Sequence, residues 1–246
     1  METSGLTRDF GKFRAIKDVS LQVEKGVLTS LIGPNGAGKT TFYNCVTGKF
    51  PPTSGRVLFK GEDITGLPAH AIQQMGLSRS FQIVNIFQEL SVVDNIKAVL
   101  IAKEKKNWNF IKLVQKDKAL HDEALEIVEK LGLKEKYNSI CNELSHGDRR
   151  RVDIGLAVAS NPEMILLDEP TAGMNPNETI EVMDLINHLR TDTGATFFLT
   201  EHDMDVVFSI SERIVVLHQG SIIADGKPDD IKADHSVQEV YLGGVL

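Results

Sequence analysis

The chain has 246 residues, 41% hydrophobic and 25% charged, which suits one large domain, or a domain with a subdomain, around a substantial core. With 27 basic against 34 acidic residues its formal charge is −7, which gives no electrostatic support to a nucleic-acid-binding or anionic-membrane-binding surface. No stretch reaches the ~20 consecutive apolar residues of a membrane span. The start, Met1 to Gly5, lacks the basic and apolar regions of an export signal, and two cysteines, Cys45 and Cys141, make neither a disulfide framework nor a metal site, so a cytosolic location is expected.

In chain order, Val19–Val23 and Val27–Ile32 are predicted strands separated by the turn Glu24-Lys25-Gly26. A helix is predicted from Gly38 to about Thr47, stopped by Gly48, and a further strand at Arg56–Lys60 follows the turn residues Pro51 to Gly55. Between about Asn85 and Ala159 the pattern turns helical: Leu120, Ala124, Ile127, Val128 and Leu131 recur at helical spacing, with Gly132 as a C-terminal stop. Strand and helix then alternate. Met164–Asp168, Thr196–Thr200 and Glu212–His218 are predicted strands; helices start at Asn175-Pro176, running to about Arg190, and at Met204, running to Ile210. Such alternation predicts an α/β core with a parallel sheet covered by helices.

Gly33-Pro34-Asn35-Gly36-Ala37-Gly38-Lys39-Thr40 fits G-x-x-x-x-G-K-[ST] at every fixed position, between an apolar strand and a helix. The glycines let backbone N–H groups wrap a phosphate chain at a helix N-terminus. Lys39 is expected to reach the β and γ phosphates, Thr40 to ligate Mg²⁺ and Thr41 to bind the α phosphate. The loop predicts a bound nucleotide with Mg²⁺, without choosing among kinase, GTPase, helicase and transporter ATPase; ATP is the nucleotide that the resemblance carried by Leu144 to Asp148 implies. Downstream, the apolar run Met164–Leu167 ends in two carboxylates. Asp168 is expected to hold Mg²⁺ and Glu169 to act as general base on the attacking water.

Leu144-Ser145-His146-Gly147-Asp148, followed by Arg149-Arg150-Arg151, decides between these classes. It resembles the Leu-Ser-Gly-Gly-Gln signature of ABC ATPases, with His146 in place of a glycine and Asp148 in place of the glutamine. The same residues also form a helix capping box, with Ser145 as cap. In the family this helix start, here Ser145 and Gly147, holds the γ phosphate of ATP bound to the opposite subunit. A carboxylate at Asp148 would repel that phosphate unless it points away into the cap.

Other segments resemble the family in the same order along the chain. Phe10-Gly11 is similar to its adenine-stacking platform, with Phe13 as the substitute. Ser80-Phe81-Gln82 resembles the loop whose glutamine contacts Mg²⁺, and Ala172–Asn175 the loop that communicates across the dimer. Thr200-Glu201-His202-Asp203 supplies a histidine for the γ phosphate. The resemblance implies a P-loop NTPase fold with a parallel-sheet core, an N-terminal antiparallel β-subdomain and a helical insertion. The implied core is residues 1–84 and 160–246, and the helical signature subdomain 85–159.

Arg79-Ser80-Phe81-Gln82, Ala172–Pro176, Glu201–Val207 and Glu239–Gly243 resemble in particular the ATPase subunits of branched-chain amino-acid importers. This implies transmembrane permease subunits and an extracytoplasmic solute-binding protein as partners. It also implies a homodimer or a heterodimer with a paralogous ATPase, no nucleic acid, and a place on the cytoplasmic face of the membrane. Transporters of urea, amides or other small solutes are the alternative. A soluble ABC-type ATPase of DNA repair or translation fits less well, because the chain has one phosphate loop and no coiled-coil insertion. A P-loop kinase or GTPase outside the family fits less well again: no Asn-Lys-x-Asp segment is present to read guanine, and Leu144 to Asp148 would be unexplained.

Overall fold

The computed structural model describes residues 1–80, 86–103 and 118–242, with only the backbone at residue 242. The chain divides into two units: Met1–Arg79 with Glu163–Pro170 and the chain from Gly194 onward, and Ser80–Pro162 with Thr171–Thr193.

The first unit carries two sheets. β1 (Glu2–Phe10), β2 (Phe13–Gln22), β4 (Ser54–Phe59) and β5 (Glu62–Asp63) form an antiparallel sheet in the order β2-β1-β4-β5. β3 (Thr29–Ile32), β6 (Leu77–Ser80), β7 (Met164–Asp168), β8 (Thr196–Thr200), β9 (Arg213–His218) and β10 (Ser221–Gly226) form the second, in the order β10-β9-β3-β8-β7-β6. Strands β9, β3, β8 and β7 run parallel, and β10 closes one edge antiparallel. Every residue of β3, β7 and β8 is buried, as expected for parallel strands covered on both faces. The helix α1 (Lys39–Val46) follows β3, and Phe42, Tyr43 and Val46 join Leu6, Ile16, Val57, Leu31 and Phe198 in a core shared by both sheets. The short helices α2 (Ala69–Gln74), α7 (Met204–Ile210), α8 (Pro228–Ala233) and α9 (His235–Leu242) complete this unit.

The described part of the second unit is helical: α3 (Val92–Lys103), α4 (Lys118–Lys130), α5 (His146–Ala159) and α6 (Pro176–Thr193). Gly132, at φ 69°, follows α4 with its N–H bonded back to Glu129 O, which is how a left-handed residue satisfies the last carbonyls of a helix. Asn95 is fully buried. Its side chain donates to Phe87 O and Ser91 O and accepts from Phe87 N, so it fixes the segment before α3.

Strand–helix alternation gave the right type for α1, β7, α6, β8, α7 and β9, with ends displaced by three residues at most. The pattern did not reveal β1, β5, β6, β10, α2, α8 or α9. β1 is an inner strand of its sheet, yet its pairing with β2 slips between Thr3 and Leu6 and again between Leu6 and Arg8. These bulges bury Thr3, Leu6 and Thr7 together and erase the period-two signal.

Candidate nucleotide-binding site

The phosphate loop leaves β3 at Ile32 and turns into α1 at Lys39. Gly38 precedes the helix at φ 109°, and a Cβ there would stand 2.6 Å from Ala15 O. Glycine is required by both the conformation and the space. The cleft over the loop has a volume of about 240 Å³ and is lined by Phe13, Ala15, Asn35 to Thr41, and Glu169. Lys39 is folded back over the loop, its Nζ donating to Gly33 O at 2.5 Å and Pro34 O at 3.4 Å. Burial lowers its pKa, opposed by the nearby Glu169 and Asp168 carboxylates. An ammonium held by two loop carbonyls at the start of a helix is a counter-charge suited to an anion.

Two side chains, Thr200 and Arg79, position the acidic pair at the end of β7. Thr200 Oγ1 donates to Asp168 Oδ1 at 2.8 Å and accepts from Glu169 N at 3.1 Å. Arg79 Nη2 donates to Asp168 Oδ2 at 2.7 Å, while its Nη1 donates to Asn44 Oδ1 on α1 at 2.7 Å and to Oγ1 of Thr47, the residue that ends that helix, at 3.3 Å. The guanidinium also lies 5.5 Å from the centre of the Tyr43 ring. Arg79 and Asp168 are both almost wholly buried, so this pair meets the requirement that an interior carboxylate be matched in charge and hydrogen bonds. Tyr43 in turn donates to Phe198 O at 2.9 Å, and burial raises its pKa well above the ordinary phenol value.

Glu169 sits at φ 47°, a left-handed conformation uncommon outside glycine, held by bonds from its N–H to both the carbonyl and the hydroxyl of Thr200. That turn brings Glu169 onto the wall of the cleft. His202, just beyond β8, has Nδ1 4.0 Å from Glu169 Oε2 and 4.0 Å from Glu201 Oε2, with 60% of its side chain exposed. The structure therefore brings Lys39, Thr40, Thr41, Asp168, Glu169 and His202 to one end of the parallel sheet.

The two aromatic candidates separate. Phe13 is on the cleft wall, whereas Phe10 is not among the cleft residues. Phe10 packs edge-on against Phe50 with ring centres 5.8 Å apart, under the Arg8 guanidinium at 4.7 Å. Gln82 lies outside the described residues.

Within the second unit, Ser145 is the N-cap of α5 and its Oγ accepts from Asp148 N at 3.1 Å. Asp148 turns its carboxylate to Lys136 Nζ at 2.5 Å. Gly147 is buried, and a Cβ on it would meet the Glu178 side chain at 3.1 Å. Thr200, Arg79 and Lys136 were assigned no role from sequence. Arg79 stood in a segment noted only for resemblance, and Lys136 is twelve residues from its partner in a 3-10 turn that no periodicity marks.

A glycine-rich loop on a central parallel strand, with an acidic pair two strands away at the same sheet end, defines a P-loop nucleoside triphosphatase. A family model described as ABC transporter matches residues 16–172, and another described as branched-chain amino acid ATP-binding cassette transporter matches residues 221–245. The chain is 42% identical over 251 residues to the high-affinity branched-chain amino acid transport ATP-binding protein BraF of Pseudomonas aeruginosa, covering 99% of this chain and 97% of that one. It is 40% identical over 252 residues to LivG of Escherichia coli, a protein of the same description, with the same coverage. A solved ATP-binding cassette of an ABC transporter in its ADP conformation superposes with a TM-score of 0.84 at 32% identity, over 98% of both chains. The chain belongs to the ABC transporter family. It has the ABC ATPase fold and is an ATP-binding, ATP-hydrolysing subunit.

Proposed function

We propose that this chain powers an importer of branched-chain or other hydrophobic amino acids. The observation that carries the reading is the match of residues 221–245 to the branched-chain amino acid cassette model. Full-length similarity to BraF and LivG supports it. Among the described residues no helix is long and apolar enough to cross a membrane, so the pore is assigned to separate permease chains. The ATPase then works at the cytoplasmic face of the membrane, and an extracytoplasmic solute-binding protein delivers the cargo. The domain reading is a nucleotide-binding core over 1–84 and 160–246 with a signature subdomain over 85–159.

ATP phosphates lie along the loop from Asn35 to Thr41 at the start of α1, where the helix dipole favours negative charge. Lys39 exchanges the Gly33 and Pro34 carbonyls for β and γ phosphate oxygens. Of the two aromatics, Phe13 is favoured over Phe10 for the adenine, because it is the one on the cleft wall and the residue is 65% exposed there. Thr40, Asp168 and Gln82 offer hard oxygen donors of the kind Mg²⁺ prefers. Among the described residues no cluster of three or more His, Cys, Asp or Glu makes a self-contained metal cage, so the ion belongs with the nucleotide. When bound, Mg²⁺ neutralises phosphate charge. Glu169 takes the proton of the attacking water, and the exposed His202 reaches the γ phosphate.

Two copies, or this chain and a paralogue, pack head to tail. Ser145 and Gly147 of one copy then meet the γ phosphate held by the other. ATP closes the dimer because both halves bind it, and hydrolysis removes that bridge.

The test is affinity capture of this chain from detergent-solubilised membranes of its source cell. Co-purification of permease chains, with ATPase activity indifferent to DNA and RNA, is the expected result. Recovery of soluble or nucleic-acid-bound partners alone would overturn the transport reading and leave the ATP site standing.

A further inference from the structure

The helix start at Ser145 faces an electrostatic difficulty. In the two-copy reading a phosphate docks at the N-terminal end of α5, but Asp148, in the first turn of that helix, carries a negative charge. The structure contains a specific answer. Lys136 is fixed by its backbone in the turn Lys134–Lys136: its N–H donates to Leu133 O, and its carbonyl accepts from Ser139 N. From there its ammonium reaches Asp148 Oδ2 at 2.5 Å while remaining half exposed, and the Asp148 side chain is nearly buried. The Asp148 N–H is already taken by Ser145 Oγ. The backbone of Asp148 is thereby tied to the cap serine, and its carboxylate to Lys136 outside the cap.

A cavity of about 200 Å³ at this helix start has Ser145 and Gly147 in its wall. Two cations, Lys136 and Arg151, face three carboxylates, Asp148, Glu178 and Glu181. Arg151 is bonded to Glu181, and Glu178 packs on Gly147 and accepts from Asn175 N at 3.2 Å. Lys136 is thus the cation matched to Asp148. Without it the wall carries one further uncompensated negative charge at the point meant to receive a phosphate.

We propose that Lys136 is a positioning residue for the trans phosphate contact: by pairing with Asp148 it makes the Ser145–Gly147 helix start acceptable to the γ phosphate bound by another subunit. The inference rests on the two-copy reading above and is specific to a chain with a carboxylate at position 148. A glutamine there would need no cation.

The test measures ATP-driven dimerisation by light scattering in a Glu169→Gln background, in which hydrolysis cannot reopen the dimer. Adding Lys136→Met is expected to raise the dimer dissociation constant about tenfold, an effect of the size expected for one unmatched charge at a partly solvated site. Adding Asp148→Gln to that variant is expected to restore it to within about twofold. ATP binding by the dilute monomer, followed by fluorescent-nucleotide displacement, reports on the phosphate loop separately and isolates the dimer effect. Unimpaired dimerisation of the Lys136→Met variant overturns the inference. So does a double variant as weak as Lys136→Met alone, since Lys136 would then act by some route other than Asp148. If the Glu169→Gln chain with Lys136 and Asp148 intact stays monomeric at saturating Mg-ATP, the two-copy reading itself fails.

Discussion

Asp168 and Asp148 are both carboxylates placed where a phosphate is expected, and their surroundings differ in kind. Asp168 ends a buried strand, with each oxygen bonded: one to Thr200 and the other to Arg79, which also grips Asn44 on α1 and Thr47 at its end. Asp148 lies in the first turn of a helix, tied to the cap serine through its backbone and to a single half-exposed lysine through its side chain. An interior charge must be matched completely, because desolvation leaves no water to complete the shell. Where the cation itself is half in water, as Lys136 is, one partner suffices, and its contribution to stability is small. The contrast teaches that a similar carboxylate can be part of the scaffold in one place and an adjustable electrostatic element in another.

Four measurements sharpen or break this comparison. The largest effect belongs to catalysis: Glu169→Gln is expected to lower kcat by about a hundredfold or more, as loss of a general base does. Activity near that of the unsubstituted chain in a steady-state phosphate-release assay would remove Glu169 from that role. Next, Arg79→Met is expected to destabilise the fold by about 3–5 kcal/mol, since it leaves the Asp168 carboxylate buried without its cation, as read from the urea midpoint. A loss below about 1 kcal/mol would mean that the interior tolerates this charge and that the contrast with Asp148 is false. Thr200→Val, which removes one bond from Asp168 and one from Glu169, falls between at about 1–3 kcal/mol. Lys136→Met comes last, at under about 1 kcal/mol in the same urea experiment. A larger cost would make Lys136 a structural residue instead of one felt chiefly when phosphate arrives.

The free cysteines give an independent check on burial. Cys45 and Cys141 are both buried, and desolvation pushes each thiol up to about 11. The thiolate is the reactive form and burial disfavours it, so both stay neutral through pH 8 and up towards that value. Alkylation by iodoacetamide at pH 8 is expected to be slow in the native chain and fast in denaturant. Rapid native labelling of Cys45 would show that the α1 end of the core opens readily.

Much of the site was legible because its chemistry is local. A phosphate loop needs its glycines, lysine and threonine within eight consecutive positions, because one strand-to-helix turn wraps the phosphates. The acidic pair ends an apolar strand, because the catalytic face lies at that end of a parallel sheet. Ser145 announces a helix start by capping it within three residues. Sequence order alone also placed β7, β8 and β9 in one α/β core, through their unbroken apolar runs. Only the tertiary structure could decide what lies between distant segments. Arg79 meets Asp168 across 89 positions, and Gly38 is crowded by Ala15 O from another sheet. Phe13 lies on the cleft while Phe10 turns to Phe50. Lys136 finds Asp148 from a turn with no periodic signature. A sequence records the groups that must be neighbours along the chain; which charges neutralise one another in space depends on packing, and packing is settled only when the strands and helices have closed around them.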